Sequence, residues 1–232
     1  MAIFTSFLCE CSFIYFEPAS CCLSIVNVHS FMYSLRMPKV TEDHRKAQEE
    51  RFIDAARRCF TRLGVEGSSM EDIRTEAGVS AGLMYRYFES KDEMILAAIA
   101  GAYADFEAIV EQTGESTRAA TAAGYLRLLL DNLRRLRHAG PGVDLFKLAI
   151  QGWAHAQARP KARAVITESL ARQLESYGAV ATRWTTSRRA PAAAQAIAGA
   201  VFGYMVQSTF SDADIDVAQY CNGLVALVRE RC

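Results

Sequence analysis

The chain has 232 residues, with 26 basic and 26 acidic side chains and a formal net charge of zero, so bulk charge draws it neither to nucleic acid nor to a membrane surface. Apolar residues make up 51% of it while Gly and Pro number only 14 and 5, which excludes disordered and fibrous classes and leaves one compact domain or two closely packed ones. Its seven cysteines show no metal-ligand spacing.

Residues 1–36 carry only Glu10, Glu17 and Arg36 as charged side chains, and hold Cys9, Cys11, Cys21 and Cys22. There is no basic segment to open a signal peptide, and the two glutamates interrupt any run of membrane-spanning length. The expectation is a non-native or disordered N-terminal extension, with translation starting at Met37 or Met32; a functional anchor is the alternative. A polar arm opens at Met37, and from there the pattern is helical without a strand signal. The fold class expected is all-α. Residues 37–92 are expected to form a first helical part and residues 93–232 a second, joined by a long helix.

A first helix is predicted from about Arg45, with Phe52, Ala56, Cys59, Phe60 and Leu63 as its apolar stripe. Gly64 ends it. A second helix runs from about Ser69 to Ala77. Ser69 with Asp72 makes a capping-box pair, and Ile73 and Ala77 share its inner face. Gly78 follows where the chain turns through a left-handed conformation. Val79 plugs the angle between the helices, and Ser80 caps a third helix that runs to Phe88 with Met84 and Phe88 facing inward. Two helices joined so tightly form a helix-turn-helix, whose second member enters a major groove.

Left exposed on that third helix are Ala81, Gly82, Leu83, Tyr85, Arg86 and Tyr87. The small residues Ser80, Ala81 and Gly82 permit close approach to a groove floor, and the tyrosine hydroxyls reach phosphates. Lys91, in the first turn of a fourth helix spanning about Ser90 to Glu111, is placed to meet the same backbone. Arg74 either reaches phosphate or lies in solvent. From Met37 to Ala100 there are ten Lys/Arg and twelve Asp/Glu, so a charge-driven, non-specific DNA coater is excluded. DNA binding here rests on placed residues, with Ser69, Arg74, Ser80, Ala81, Gly82, Leu83, Tyr85, Arg86, Tyr87 and Lys91 as the candidates.

The run Ala77-Gly78-Val79-Ser80, then Met84-Tyr85-Arg86-Tyr87-Phe88, then Ser90-Lys91-Asp92 resembles the DNA-binding domain of the TetR family over about Arg45 to Ala100. That resemblance implies phosphate contacts from Tyr85, Tyr87 and Lys91, with base-edge and close-approach positions at Ser80, Ala81, Gly82 and Leu83. Two positions depart from the family pattern: Met84 stands for Leu, a volume-conserving change, and Tyr87 stands for His, which alters the contact geometry.

Beyond Ala100 breaks at Gly140-Pro141-Gly142, Arg159-Pro160 and Arg189-Ala190-Pro191 divide the chain into helices. Tyr125, Phe146, Trp153, His155 and Tyr177 are the candidates for lining a small-molecule cavity. The family resemblance implies a dimer through the last two long helices, for which Ile197, Val201, Met205, Val217, Tyr220, Cys221, Leu224 and Val228 are the candidate interface residues. Cys59 and Cys221, at apolar positions, read as small buried hydrophobes.

The four histidines are scattered, and neither a nucleophile elbow nor a phosphate-cradling Gly loop is present. No enzyme, cofactor or metal site is expected. The function expected is a cytoplasmic transcriptional regulator that binds a double-stranded DNA operator as a homodimer. It acts as a repressor released from a palindromic operator by a small-molecule ligand. The alternative is a DNA-binding protein of the same fold whose C-terminal half docks a protein partner.

Overall fold

The computed structural model describes residues 42–116, 121–138, 140–211 and 213–229, so the expectations for residues 1–36 and for the arm before Glu42 lie outside the described residues. Within the described residues the protein is all-helical: α1 Glu42–Leu63, α2 Met70–Ala77, α3 Ala81–Met84, α4 Lys91–Glu115, α5 Ala122–Leu136, α6 Leu145–Gln157, α7 Pro160–Ala181, α8 Ala190–Phe210 and α9 Val217–Arg229. None of these helices is long and apolar enough to cross a membrane.

α1 buries Phe52, Ala56, Cys59 and Phe60 as its apolar spacing predicts, but Leu63 is exposed. It lies in the last turn, where Gly64 at φ 81° has already swung the chain away. α2 starts on a complete capping box: the Ser69 hydroxyl accepts the Asp72 N–H at 3.1 Å, and the Asp72 carboxylate accepts the Ser69 N–H at 2.8 Å. It ends at Gly78, whose φ of 65° is left-handed. The Ser80 oxygen accepts the Leu83 N–H at 3.4 Å and starts α3.

α3 is shorter than the Ser80–Phe88 helix expected. After Met84 the backbone tightens: Arg86 and Tyr87 bond to the carbonyls three residues back, Leu83 and Met84, at 3.3 and 3.0 Å, and an α-helix is replaced by tighter turns. Met84 and Phe88 are nevertheless buried. α4, capped by Ser90, runs to Glu115 and so passes the expected end at Glu111.

The remaining breaks fall at the Gly/Pro signals. Pro160 and Pro191 sit in the first turns of α7 and α8, where a missing N–H leaves no helical bond unmade. Gly142, at φ 74°, turns the chain between α5 and α6.

Two apolar clusters divide along α4. The first joins α1, α2, α3 and the α4 residues Met94, Ile95, Ala98 and Ile99. The second takes Val110 of α4 with Tyr125, Leu129, Leu130 and Leu133 of α5, and with residues of α6 to α9. Cys59 and Cys221 are buried free thiols.

The capping box carries a pH dependence. Hydrogen bonds from the Ser69 hydroxyl and then its backbone N–H hold the Asp72 carboxyl below its ordinary 3.8. A depressed carboxyl stabilises the fold above its unfolded value, and that contribution is lost as pH falls through the folded one. Ser69→Ala is therefore expected to lower the urea midpoint near neutral pH. The deficit should shrink in acid below 3.8, and a deficit that is flat with pH would contradict the capping role.

Candidate nucleic-acid interface and regulatory cavity

The α2–turn–α3 unit is held from beneath by arginines. Arg51 of α1 donates to the Ala77 carbonyl at 2.7 Å, satisfying the end of α2. Arg74 donates from Nη1 to the Val79 carbonyl at 2.9 Å and pairs with Glu71 through its other nitrogens. Arg74 thus does neither thing expected of it: it staples α2 to the turn. Nothing in the sequence singled out Arg51, since its partner is a backbone carbonyl 26 residues away.

Lys91 is a second correction. Its ammonium donates to the carbonyls of Val65, Glu66 and Ser68 at 3.0, 3.3 and 2.9 Å, which occupies all three of its N–H groups. It anchors the loop between α1 and α2 rather than facing outward. Leu83 and Tyr87, expected to be exposed, are half-buried against the first cluster. The Tyr87 ring meets Phe52 edge-on at 5.2 Å. The Ser69 hydroxyl is engaged with Asp72.

What remains outward is a compact edge: Ser80, Ala81 and Gly82, then Tyr85, which is 52% exposed, and Arg86. A Cβ added at Gly82 would meet nothing within 4 Å, so the protein's own packing does not require glycine there. The acids of α2 are each paired within the protein. Glu76 accepts from Arg58 at 2.7 Å and from Arg62 at 3.2 Å, and hydrogen bonds from these two arginines hold its carboxyl below the usual range. Hydrogen bonding to Arg74 does the same for Glu71.

A cavity of about 70 Å³ lies where the two clusters meet, walled by α1, α4, α5, α6, α7 and α8. Phe60, Val65, Ile95 and Ile99 come from the first cluster; Phe106, Phe146, Trp153 and Phe202 come from the second. Of the ligand candidates, Phe146 and Trp153 line it, and the Trp153 indole N–H donates to the Tyr103 hydroxyl at 2.8 Å. Tyr125, Tyr177 and His155 do not line it. Tyr125 and Tyr177 are buried edge-to-face against one another, 6.4 Å apart, with Tyr125 also against Trp184. Burial raises both phenol pKa values. His155 points from α6 toward the α1–α2 loop, where its Nδ1 lies 3.0 Å from the Glu66 carboxylate. Sequence reasoning missed Tyr103 and Gln173 in the cavity wall, because polar positions in a helix read as solvent-facing.

The dimer candidates also need correction. Val201, Met205, Val217 and Cys221 are buried inside the subunit. α8 packs on α7, α6 and α5, and α9 packs on α5, so these side chains have no outward face. Ile197, Tyr220 and Leu224 are half-buried, and the Val228 side chain lies outside the description. The apolar groups left exposed on α8 and α9 are Val206, Phe210 at 78% and Leu227 at 70%.

A capped helix-turn-helix thus stands on an all-helical body, with an apolar cavity behind it. Residues 52–98 match the family of bacterial regulatory proteins, tetR family. The chain is 28% identical over 146 residues to an HTH-type transcriptional repressor of Mycobacterium tuberculosis, covering 60% of this chain and 73% of that protein. A TetR-family transcriptional regulator from Streptomyces coelicolor shares the fold with a TM-score of 0.63, 22% identity and coverage of 80% of this chain and 96% of that one. So does a protein from Saccharomonospora viridis, solved in complex with choline, with a TM-score of 0.62, 18% identity and coverage of 79% and 96%. Residues 52–98 are thus similar to the DNA-binding domain of the tetR family, and the chain is similar to an HTH-type transcriptional repressor over a longer stretch.

The internal role of Lys91 separates it from Arg86. Lys91→Met is expected to destabilise the protein by about 1–3 kcal/mol, because buried carbonyls lose a charged donor, whereas Arg86→Met stays within about 0.5 kcal/mol. Equal urea midpoints for the two variants would refute the anchoring role.

Proposed function

We propose that this protein is a cytoplasmic, dimeric repressor that binds a palindromic operator and is released by a small molecule entering the cavity between α1, α4, α6 and α8. The observation that carries the reading is the outward edge of Ser80, Ala81, Gly82, Tyr85 and Arg86 on a rigidly capped turn. In this reading residues 37–92 are the DNA-binding domain and 93–232 the ligand-binding and dimerisation domain. Ala81 and Gly82 let the backbone approach a groove floor, while Tyr85 and Arg86 contact phosphate.

Release follows from the position of α6. One face of it, at Gly152 and Trp153, lines the cavity. Its other face grips the loop leading into α2: Gln151 accepts the Val65 N–H at 2.9 Å, and His155 bonds Glu66. A cavity of about 70 Å³ is below the roughly 300 Å³ at which pockets hold drug-sized ligands. A ligand must therefore spread its walls, and α6 carries that displacement to α2 and α3. The ligand then favours whichever arrangement has the wider cavity, and DNA affinity falls by the ratio of its affinities for the two.

A palindromic operator requires a two-fold dimer. The exposed Val206, Phe210 and Leu227 support α8 and α9 as the contact, beside Gly199 and Gly223, where an added Cβ would meet open space.

The reading is tested by footprinting the full chain on the DNA upstream of its own gene; no protection even at low salt would end it. Arg86→Ala is expected to weaken binding across sequences and to reduce the salt slope by about 1. Phe210→Glu is expected to give a folded monomer in sedimentation with much weaker operator binding, whereas Val201→Glu, placing a charge in the core, should not fold. A Phe210→Glu protein that remains a dimer would move the interface elsewhere.

A further inference from the structure

The cavity walls specify the chemistry of their ligand. Among the described lining residues Arg137 alone is charged, and its guanidinium is already committed. Its Nε lies 3.1 Å from each Asp144 carboxylate oxygen, its Nη2 donates to Oδ2 at 2.8 Å, and the group lies 5.3 Å from the centre of the Phe146 ring. Asp144 in turn accepts the backbone N–H groups of Phe146 and Lys147 at 3.0 and 3.2 Å, so it caps α6 as well. An anionic ligand would meet a cation whose charge Asp144 already balances. A cationic ligand would find no carboxylate in the wall. An anion would leave water for an apolar wall with no cation of its own, and a cation would find ring faces but no carboxylate to neutralise it, so an uncharged ligand is favoured.

One polar group in the wall does lack a partner. Gln173 of α7 is 2% exposed, and its amide nitrogen is buried without a hydrogen-bond partner. A buried donor left unmade is costly, whereas a neighbouring acceptor brought in by a ligand converts that cost into affinity and discrimination. In the same cavity wall, the Tyr103 hydroxyl oxygen accepts from Trp153 and keeps its own hydrogen to donate. Both groups offer N–H or O–H hydrogens, and neither carries charge.

We infer that the ligand is an uncharged, predominantly apolar molecule bearing a hydrogen-bond acceptor, such as a ketone, ester or amide carbonyl, and that Gln173 is the residue that selects it. The inference rests on the reading of this cavity as the effector site.

The test uses four probes of similar shape against the full chain in a Trp184→Phe background. The chain has two tryptophans, and this change leaves Trp153, in the cavity wall, as the fluorescent reporter. The probes are acetophenone, ethylbenzene, benzoate and phenyltrimethylammonium, with saturation-transfer NMR as an independent measure of binding. Acetophenone is expected to bind about ten-fold more tightly than each of the others, the difference worth one good hydrogen bond or one avoided charge burial. In Gln173→Met, which keeps the side-chain volume and removes the amide, the preference over ethylbenzene should fall to near unity. That variant should melt no lower than the parent, since it removes an unpaired polar group from an apolar site.

A charged probe that binds more tightly than acetophenone overturns the inferred class while leaving the effector site standing. So does a parent protein that treats acetophenone and ethylbenzene alike, or a preference that survives in Gln173→Met. If none of the four binds by either measurement, the cavity is not a ligand site and the effector reading falls with the inference.

Discussion

The loop from Gly64 to Ser68 pairs only part of its backbone locally, Gly64 N–H to the Phe60 carbonyl and Ser68 N–H to the Gly64 carbonyl, and the arrangement of the two halves depends on how the rest is satisfied. Lys91 at the start of α4 collects three of its carbonyls. Gln151 of α6 takes the Val65 N–H, and His155 takes the Glu66 side chain. One five-residue segment is thereby tied to the long connecting helix and to the wall of the cavity. Buried backbone groups must be paired, and here the pairing partners come from α4 and α6. Lys91 thus ties the start of α4 to this loop.

Electrostatics in the helix-turn-helix follow a similar economy. Its acidic residues outnumber its basic ones, which would repel DNA if they faced it. Glu71 and Glu76 instead hold Arg74, Arg58 and Arg62 in place, and Asp72 closes a cap. The charges shape the turn that presents Ala81, Gly82, Tyr85 and Arg86. Affinity of this kind depends on the position of a few groups more than on net charge, as expected where base and backbone contacts rather than counterion release alone direct binding.

The C-terminal half illustrates a limit of periodicity. α8 is apolar around most of its circumference, although α7, α6 and α5 cover only part of it. Its inner rows, Ala194, Ala198, Val201 and Met205, look the same in sequence as rows that meet a second subunit. Only burial separates them and leaves Val206 and Phe210 outside. The aromatics behave likewise. Phe146 and Trp153 line the cavity, whereas Tyr125 and Tyr177 at comparable helical spacing pack against each other in the core.

Local signals in the sequence determined the helical class, the Ser69 and Ser80 caps, the left-handed Gly78, the Pro and Gly breaks, and the inward set Ile73, Ala77, Met84 and Phe88. Each of these depends on a few neighbouring residues and on backbone preferences that operate within one turn. The roles of Arg51, Arg74 and Lys91, the exclusion of His155 from the cavity, the unpaired amide of Gln173 and the outward face of α8 were decided by the tertiary structure alone. They depend on partners up to 89 residues apart, as His155 and Glu66 are, or on which side of a helix its neighbours cover. A long polar side chain reaches whichever unpaired carbonyl or carboxylate the fold brings near it, and no spacing along the chain records that choice.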